Sequence, residues 1–209
     1  MRFIRAFILW LVIFVIAGAI FIWSGTYNVG ADSPHWGVTK YLIGEVRERS
    51  IDLRSADIKP PALDDPALVK LGAEHYSEMC VGCHLAPGVG HSDLREGLYP
   101  KPPNLTRFAP RPAEAFWVIK HGLKMTGMPA WGESHDDHEI WALVAYLQKQ
   151  PKMGVVEYRQ LAGHGAGMGD HGHDHGHGIR SEPARASSSG VASPASSATA
   201  PVPASSAGH

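Results

Sequence analysis

Cys80-Val81-Gly82-Cys83-His84 sets two thiols three residues apart and puts an imidazole on the next residue. In this spacing the two sulfurs match the vinyl groups of a haem, which they capture as thioethers, while the His is turned toward the iron as an axial ligand. Two other chemistries use a paired thiol. A redox dithiol of the thioredoxin kind requires a β-α-β surrounding, and a zinc site requires further ligands at short spacing. Neither accompaniment is evident in the sequence. The chain has only these 2 cysteines, which excludes a disulfide framework of the type that staples small secreted domains.

A haem iron with one imidazole needs a second ligand, and residues 125–131, Met-Thr-Gly-Met-Pro-Ala-Trp, offer soft sulfur in a Gly-containing loop. Pro129 biases Met128 toward an extended backbone and Gly127 permits a sharp turn on its other side, so Met128 is the favoured donor. A gap-filling core role for the same thioether stays open, as does a second imidazole from His75, His91 or His121. Met125 lacks these constraints and is expected to pack beneath the loop. Lys101, Arg107, Arg111, Lys120 and Lys124 are expected to form a basic ring that steers a partner.

A separate set of donors lies toward the C-terminus. His164, His171, His173, His175 and His177, with Asp170 and Asp174 between them, are expected to bind Cu, Ni or Zn ions as a secondary metal tract, the alternative being an inert soluble tail. The formal net charge of −1 argues against a nucleic-acid partner.

These residues must be positioned by helices. Residues 6–23 form an uncharged apolar stretch of about 18 residues, which at about 1.5 Å per residue spans most of a ~30 Å hydrocarbon core. Arg2 and Arg5 precede it and no Lys or Arg follows until Lys40, so the N-terminus is expected in the cytoplasm and the remainder outside. A cleaved signal peptide is the competing reading, and it delivers the chain to the same compartment. Ser33 and Pro34 read as the cap and first position of a juxtamembrane helix, and His35 and Trp36 as interfacial packing. Further helices are expected over 66–79, opened by Asp65 and Pro66, over 112–121, stopped by Gly122, and from Asp136 and Asp137 to the stop at Pro151. The long loops 86–110 and 123–134 between them are expected to wrap something. Beyond about Gly163 the composition turns to Gly/His and then Ser/Ala/Pro, too poor in apolar residues to offset ordering entropy.

From about Asp65 to Gln150 the sequence resembles the class I monohaem cytochromes c. The helix with Gly72 and Tyr76 resembles the family's N-terminal helix, and Leu143-Val144-Ala145-Tyr146-Leu147 its C-terminal one, with Gly72 allowing a close crossing. Pro103-Asn104-Leu105 resembles the loop whose proline carbonyl accepts the proton from the ligating His, which implies that Pro103 orients His84. The resemblance likewise implies Met128 as sixth ligand, and Trp131 is expected to pack against the haem.

The expectation is therefore an all-α chain: a single transmembrane anchor over 1–25, a partly helical juxtamembrane stalk over 26–61, a small class I cytochrome c fold around one covalent haem over 62–152, a Gly/His-rich linker or metal tract over 153–179, and a disordered tail over 180–209. It would work as a bacterial inner-membrane protein with its haem domain in the periplasm, passing single electrons between respiratory redox proteins and acting as a carrier rather than an enzyme. The alternatives are a haem-bearing subunit of a larger membrane oxidoreductase and a metal-binding protein acting through the His tract. No small-molecule substrate is expected.

Overall fold

The computed structural model describes residues 1–163. It is helical, with no strand among the described residues and one isolated antiparallel bridge between Ala86 and Val89. In chain order the helices are α1 Arg2–Ser24, α2 Gly37–Ser55, α3 Pro66–Met79, α4 Val81–His84, α5 Asp93–Glu96, α6 Pro112–His121, α7 Asp137–Lys149 and α8 Val155–Ala162. Short 3-10 turns over Trp131–Glu133 and Gln150–Lys152 flank α7.

α1 is the one described helix long and apolar enough to cross a membrane, and it buries no residue against the rest of the chain. An apolar helix with no protein partner is stable only where its surroundings are themselves apolar.

α3 and α7 start at side-chain caps. The Asp65 carboxylate accepts from Ala67 N at 2.9 Å, with Pro66 at the first helical position. Asp136 and Glu139 form a capping box, Asp136 Oδ1 accepting from Glu139 N and Glu139 Oε2 from Asp136 N, each at 2.9 Å. The two helices cross at Gly72, where a Cβ would lie 1.9 Å from the Ala142 carbonyl oxygen. Only glycine lets the backbones approach so closely, and Ala73, Tyr76, Leu143, Tyr146 and Leu147 are buried around the crossing. α6 joins this core through Phe116, whose ring stacks on Trp141 with centroids 4.2 Å apart.

Two boundaries differ from the sequence expectation. α2 begins at Gly37, with Trp36 as its cap, rather than at Ser33 and Pro34. Ser33 N is taken by Gly30 O at 3.1 Å, and His35 is held by Tyr27 and Tyr99, so the chain stays non-helical through His35. The segment after 152 does not begin as a linker: α8 packs against α3, with Tyr158 and Ala162 buried. Tyr158 and Ala162, four residues apart, share the inward face, while Val156 is 70% exposed. The tracts expected over 164–179 and 180–209, including His164 and the four following His residues of the metal tract, lie outside the described residues.

Candidate functional site

Cys80 ends α3, its N–H bonding Tyr76 O at 2.9 Å, and at the same time caps α4. Cys83 N and His84 N both donate to Cys80 O, at 3.1 and 2.8 Å, so Cys80, Cys83 and His84 occupy i, i+3 and i+4 of one helical turn and share a side of it. The chain then leaves through Leu85 at φ 63, ψ 174, a region that is essentially glycine's and costs about 1–3 kcal/mol for other residues. The surroundings hold that strain. Leu85 is buried, its carbonyl accepts from Tyr76 Oη at 2.7 Å, and Leu105 N donates to His84 O at 3.3 Å.

His84 Nδ1 lies 3.0 Å from Pro103 O. A carbonyl can only accept, so Nδ1 carries the proton and the Nε2 lone pair is left for another partner. Burial pushes the imidazole pKa below its ordinary value; donation to Pro103 opposes this, and the charge of Arg95 acts in the same direction as burial. His84 is accordingly a neutral nitrogen donor at pH 7. The Asn104 side chain shapes the loop behind Pro103 by accepting from Thr106 N at 3.0 Å and Thr106 Oγ1 at 2.7 Å.

Burial raises both cysteine pKa values, that of Cys80 to about 12. These are protonated thiols at pH 7 and lack the depressed pKa of a redox-active dithiol. Among the described residues no group of three or more His, Cys, Asp or Glu is arranged to hold a metal ion, so the structure gives the pair no zinc partners there.

The second wrapping loop is fixed by its own backbone. Gly122 has φ 64, and a Cβ there would lie 2.6–2.8 Å from Pro129 C, Ala130 N and Met128 O, so the loop closes on glycine alone. Leu123 N donates to Met128 O at 3.1 Å, and Thr126 Oγ1 donates to Leu123 O while accepting from Met128 N. Met128 is thereby held half-buried against the core, together with Cys80, Leu105 and Trp131. Gly127 sits against Leu98 of the first loop, so the two loops meet beside Met128. Met125 does not pack beneath the loop. It is 98% exposed, at φ 57, because the Thr126 hydrogen bonds turn the chain outward at that corner.

The remaining histidines considered as ligands are engaged elsewhere: His75 faces His135 and Glu139, His91 bonds Asp93, and the His121 ring lies against Trp117. The expected basic ring is largely neutralised, since Lys101 pairs with Glu96, Lys120 with Asp137, and Arg111 with Asp52 and Glu114. Arg95 joins the site although nothing in its sequence position marks it. It lies on α5, which Ser92 caps and fastens to α4 by donating to Gly82 O, and its Nε is buried without a hydrogen-bond partner.

Residues 67–147 match a family model described as cytochrome C oxidase, cbb3-type, subunit III. No curated protein and no solved structure matches the chain. The matched segment contains the two cysteines, His84, Pro103, Met128, Trp131 and the α3–α7 crossing, and it is a class I c-type cytochrome domain. Haem-based electron transfer is the activity such a domain carries.

The side chains present fit that cofactor. Paired thiols and a neutral imidazole share one helical turn, and a half-buried thioether is held by a closed loop. Arg95, whose Nη1 lies 3.6 Å from Glu96, keeps its buried Nε–H without a partner, a donor suited to a haem propionate.

Proposed function

We propose that this protein is a membrane-tethered periplasmic electron carrier with one haem c, bound covalently through Cys80 and Cys83 and ligated by His84 and Met128. The observation that carries the reading is the His84–Pro103 hydrogen bond, because it fixes the tautomer in which Nε2 is the free donor. When bound, the haem supplies an iron that accepts or releases one electron, and His/Met ligation leaves it no open position. The chain's own part is to fix the group and exclude water from it: Leu105 and Trp131 supply apolar surface and Arg95 compensates a propionate charge. The haem domain is taken to run over 62–162 rather than to end at 152, since Tyr158 and Ala162 belong to its core. α1 would span the inner membrane with the haem domain outside, in keeping with Arg2 and Arg5 before it.

The reading is tested by the alkaline-pyridine spectrum of the purified protein and of Cys80→Ser/Cys83→Ser. The wild type is expected to give the spectrum of a haem with both vinyls saturated, and the double variant to bind no haem covalently. A vinyl-type spectrum in the wild type would overturn it.

The description of the matched family favours a second reading, a haem-bearing subunit of a larger oxidase complex. Purification in mild detergent separates the two: a carrier runs alone, whereas a subunit brings stoichiometric partners. The metal-binding role of His164, His171, His173, His175 and His177 is a further proposal. It rests on the alternation of imidazoles with acidic residues and is tested by metal retention of a chain ending at Gly163.

A further inference from the structure

The haem domain covers one side of α2 and leaves an apolar arc on the opposite side uncovered. Ile51 and Ser55 are buried, and Asp52 pairs with Arg111 at 2.9 Å, which sets this side of the helix against α6. On the other side Val38, Thr39, Leu42, Ile43 and Val46 recur at i, i+1, i+4, i+5 and i+8, an arc of about 140° without an ionisable residue. Val38 is 64% exposed, Leu42 56%, Ile43 53% and Val46 70%.

The start of α2 is held at the end of α1. The Trp36 ring lies 5.9 Å from Phe21, one turn before α1 ends, and 5.0 Å edge-on from Tyr27. Tyr27 Oη bonds His35 Nδ1 at 2.6 Å, and His35 N donates to Tyr99 Oη at 3.2 Å, so the same clasp takes hold of the first wrapping loop. Tyr27 and Trp36 thus pack beside Phe21 where the span ends, which is where amphipathic aromatic rings favour the lipid–water boundary. The exposed arc begins at Val38, two residues beyond the Trp36 that packs against Phe21 of α1. Lys40 lies beyond one edge of the arc.

We propose that the uncovered face of α2 over Val38–Val46 lies in the headgroup region of the bilayer, so that anchor, α2 and haem domain form one seated unit. The occupant of the face is phospholipid. This inference rests on the reading of α1 as a membrane span. It deepens the proposed function: the haem is carried at a fixed height and tilt, and its partner must itself be at the membrane. A loose stalk would instead let the domain swing.

The test uses the full holoprotein, reduced, in vesicles of phosphatidylethanolamine and phosphatidylglycerol. A single spin label is placed by Leu42→Cys, Val46→Cys, Arg47→Cys or Phe14→Cys, and each variant is first shown to keep the haem spectrum. Labels at 42 and 46 are expected to show an oxygen-to-nickel-chelate accessibility ratio several-fold above that at 47, at a depth shallower than position 14. Lipid exposure at 14 with water-like ratios at 42 and 46 overturns the proposal and leaves the anchor standing. A water-like ratio at 14 overturns the anchor and the proposal with it. Protection from both reagents at 42 and 46, with dipolar broadening between labels, means that a second copy covers the face and overturns the lipid assignment. As a second readout, Leu42→Glu/Val46→Glu should broaden the haem orientation seen by paramagnetic resonance of the oxidised protein in stacked membranes. Unchanged ordering in that variant counts against the proposal.

Discussion

Met125 and Met128 share a loop and a chemistry, and the backbone separates their roles. Met128 donates its N–H to Thr126 Oγ1 and gives its carbonyl to Leu123, whereas Met125 stands almost wholly in solvent. Met128→Leu is expected to abolish the sulfur-to-iron charge-transfer band of the oxidised protein and to lower its potential, since thioether ligation favours ferrous iron. Met125→Leu should keep the band and change stability by no more than about 0.5 kcal/mol, as for other surface substitutions. Visible spectroscopy of the two variants decides it, and loss of the band in the Met125 variant alone would contradict the assignment. The thiols give a second expectation: in haem-free protein at pH 8, mass spectrometry should find Cys83 alkylated before Cys80, whose pKa burial raises to about 12. The single helical turn of the Cys-x-x-Cys-His run follows from its spacing, and the fixed, half-buried place of Met128 from Gly127 and Pro129 beside it. The His84–Pro103 contact, by contrast, is implied only by the resemblance to the class I cytochromes c. Arg95 and the Tyr76–Leu85 bond could not be read in advance, because a surface-type residue becomes buried only through the fold, and a backbone outlier at Leu85 has no mark in the sequence.

The α3–α7 crossing rests on one missing methyl group. In Gly72→Ala the new Cβ would press on the Ala142 carbonyl, which is backbone and cannot swing aside, so the helices must separate. The expected cost is roughly 1–3 kcal/mol or more, read as a lowered midpoint in chemical denaturation of the holoprotein. An unchanged midpoint would mean that the crossing is looser than described. Tyr158→Ala tests whether α8 belongs to the haem domain. The side chain is buried against Tyr146, and its removal is expected to cost about 3 kcal/mol, whereas a linker residue would cost nothing measurable. The helices with side-chain caps or a terminal glycine, at Asp65, Asp136 and Gly122, could be bounded from sequence. α2 could not, because tertiary hydrogen bonds from Tyr27 and Tyr99 override the start signal at Ser33 and Pro34. α8 was hidden by its length, since eight residues with two buried side chains give too little periodicity to stand out.

The whole molecule joins an exposed apolar helix to a haem-type domain through a short aromatic clasp. α1 buries no residue against the rest of the described chain, so the protein is expected to stay with membranes through a high-salt wash, which would release an electrostatically bound one. Recovery in the salt supernatant would contradict the span. The proposed function requires that this chain hold one haem covalently at Cys80 and Cys83 for electron transfer. It is tested most directly by denaturing the purified protein in acidified acetone and weighing the polypeptide. Colour is expected to stay with the protein and the chain to be heavier by the mass of one haem, an increment lost in Cys80→Ser/Cys83→Ser. A colourless chain of unmodified mass, with the haem extracted or never present, would contradict it.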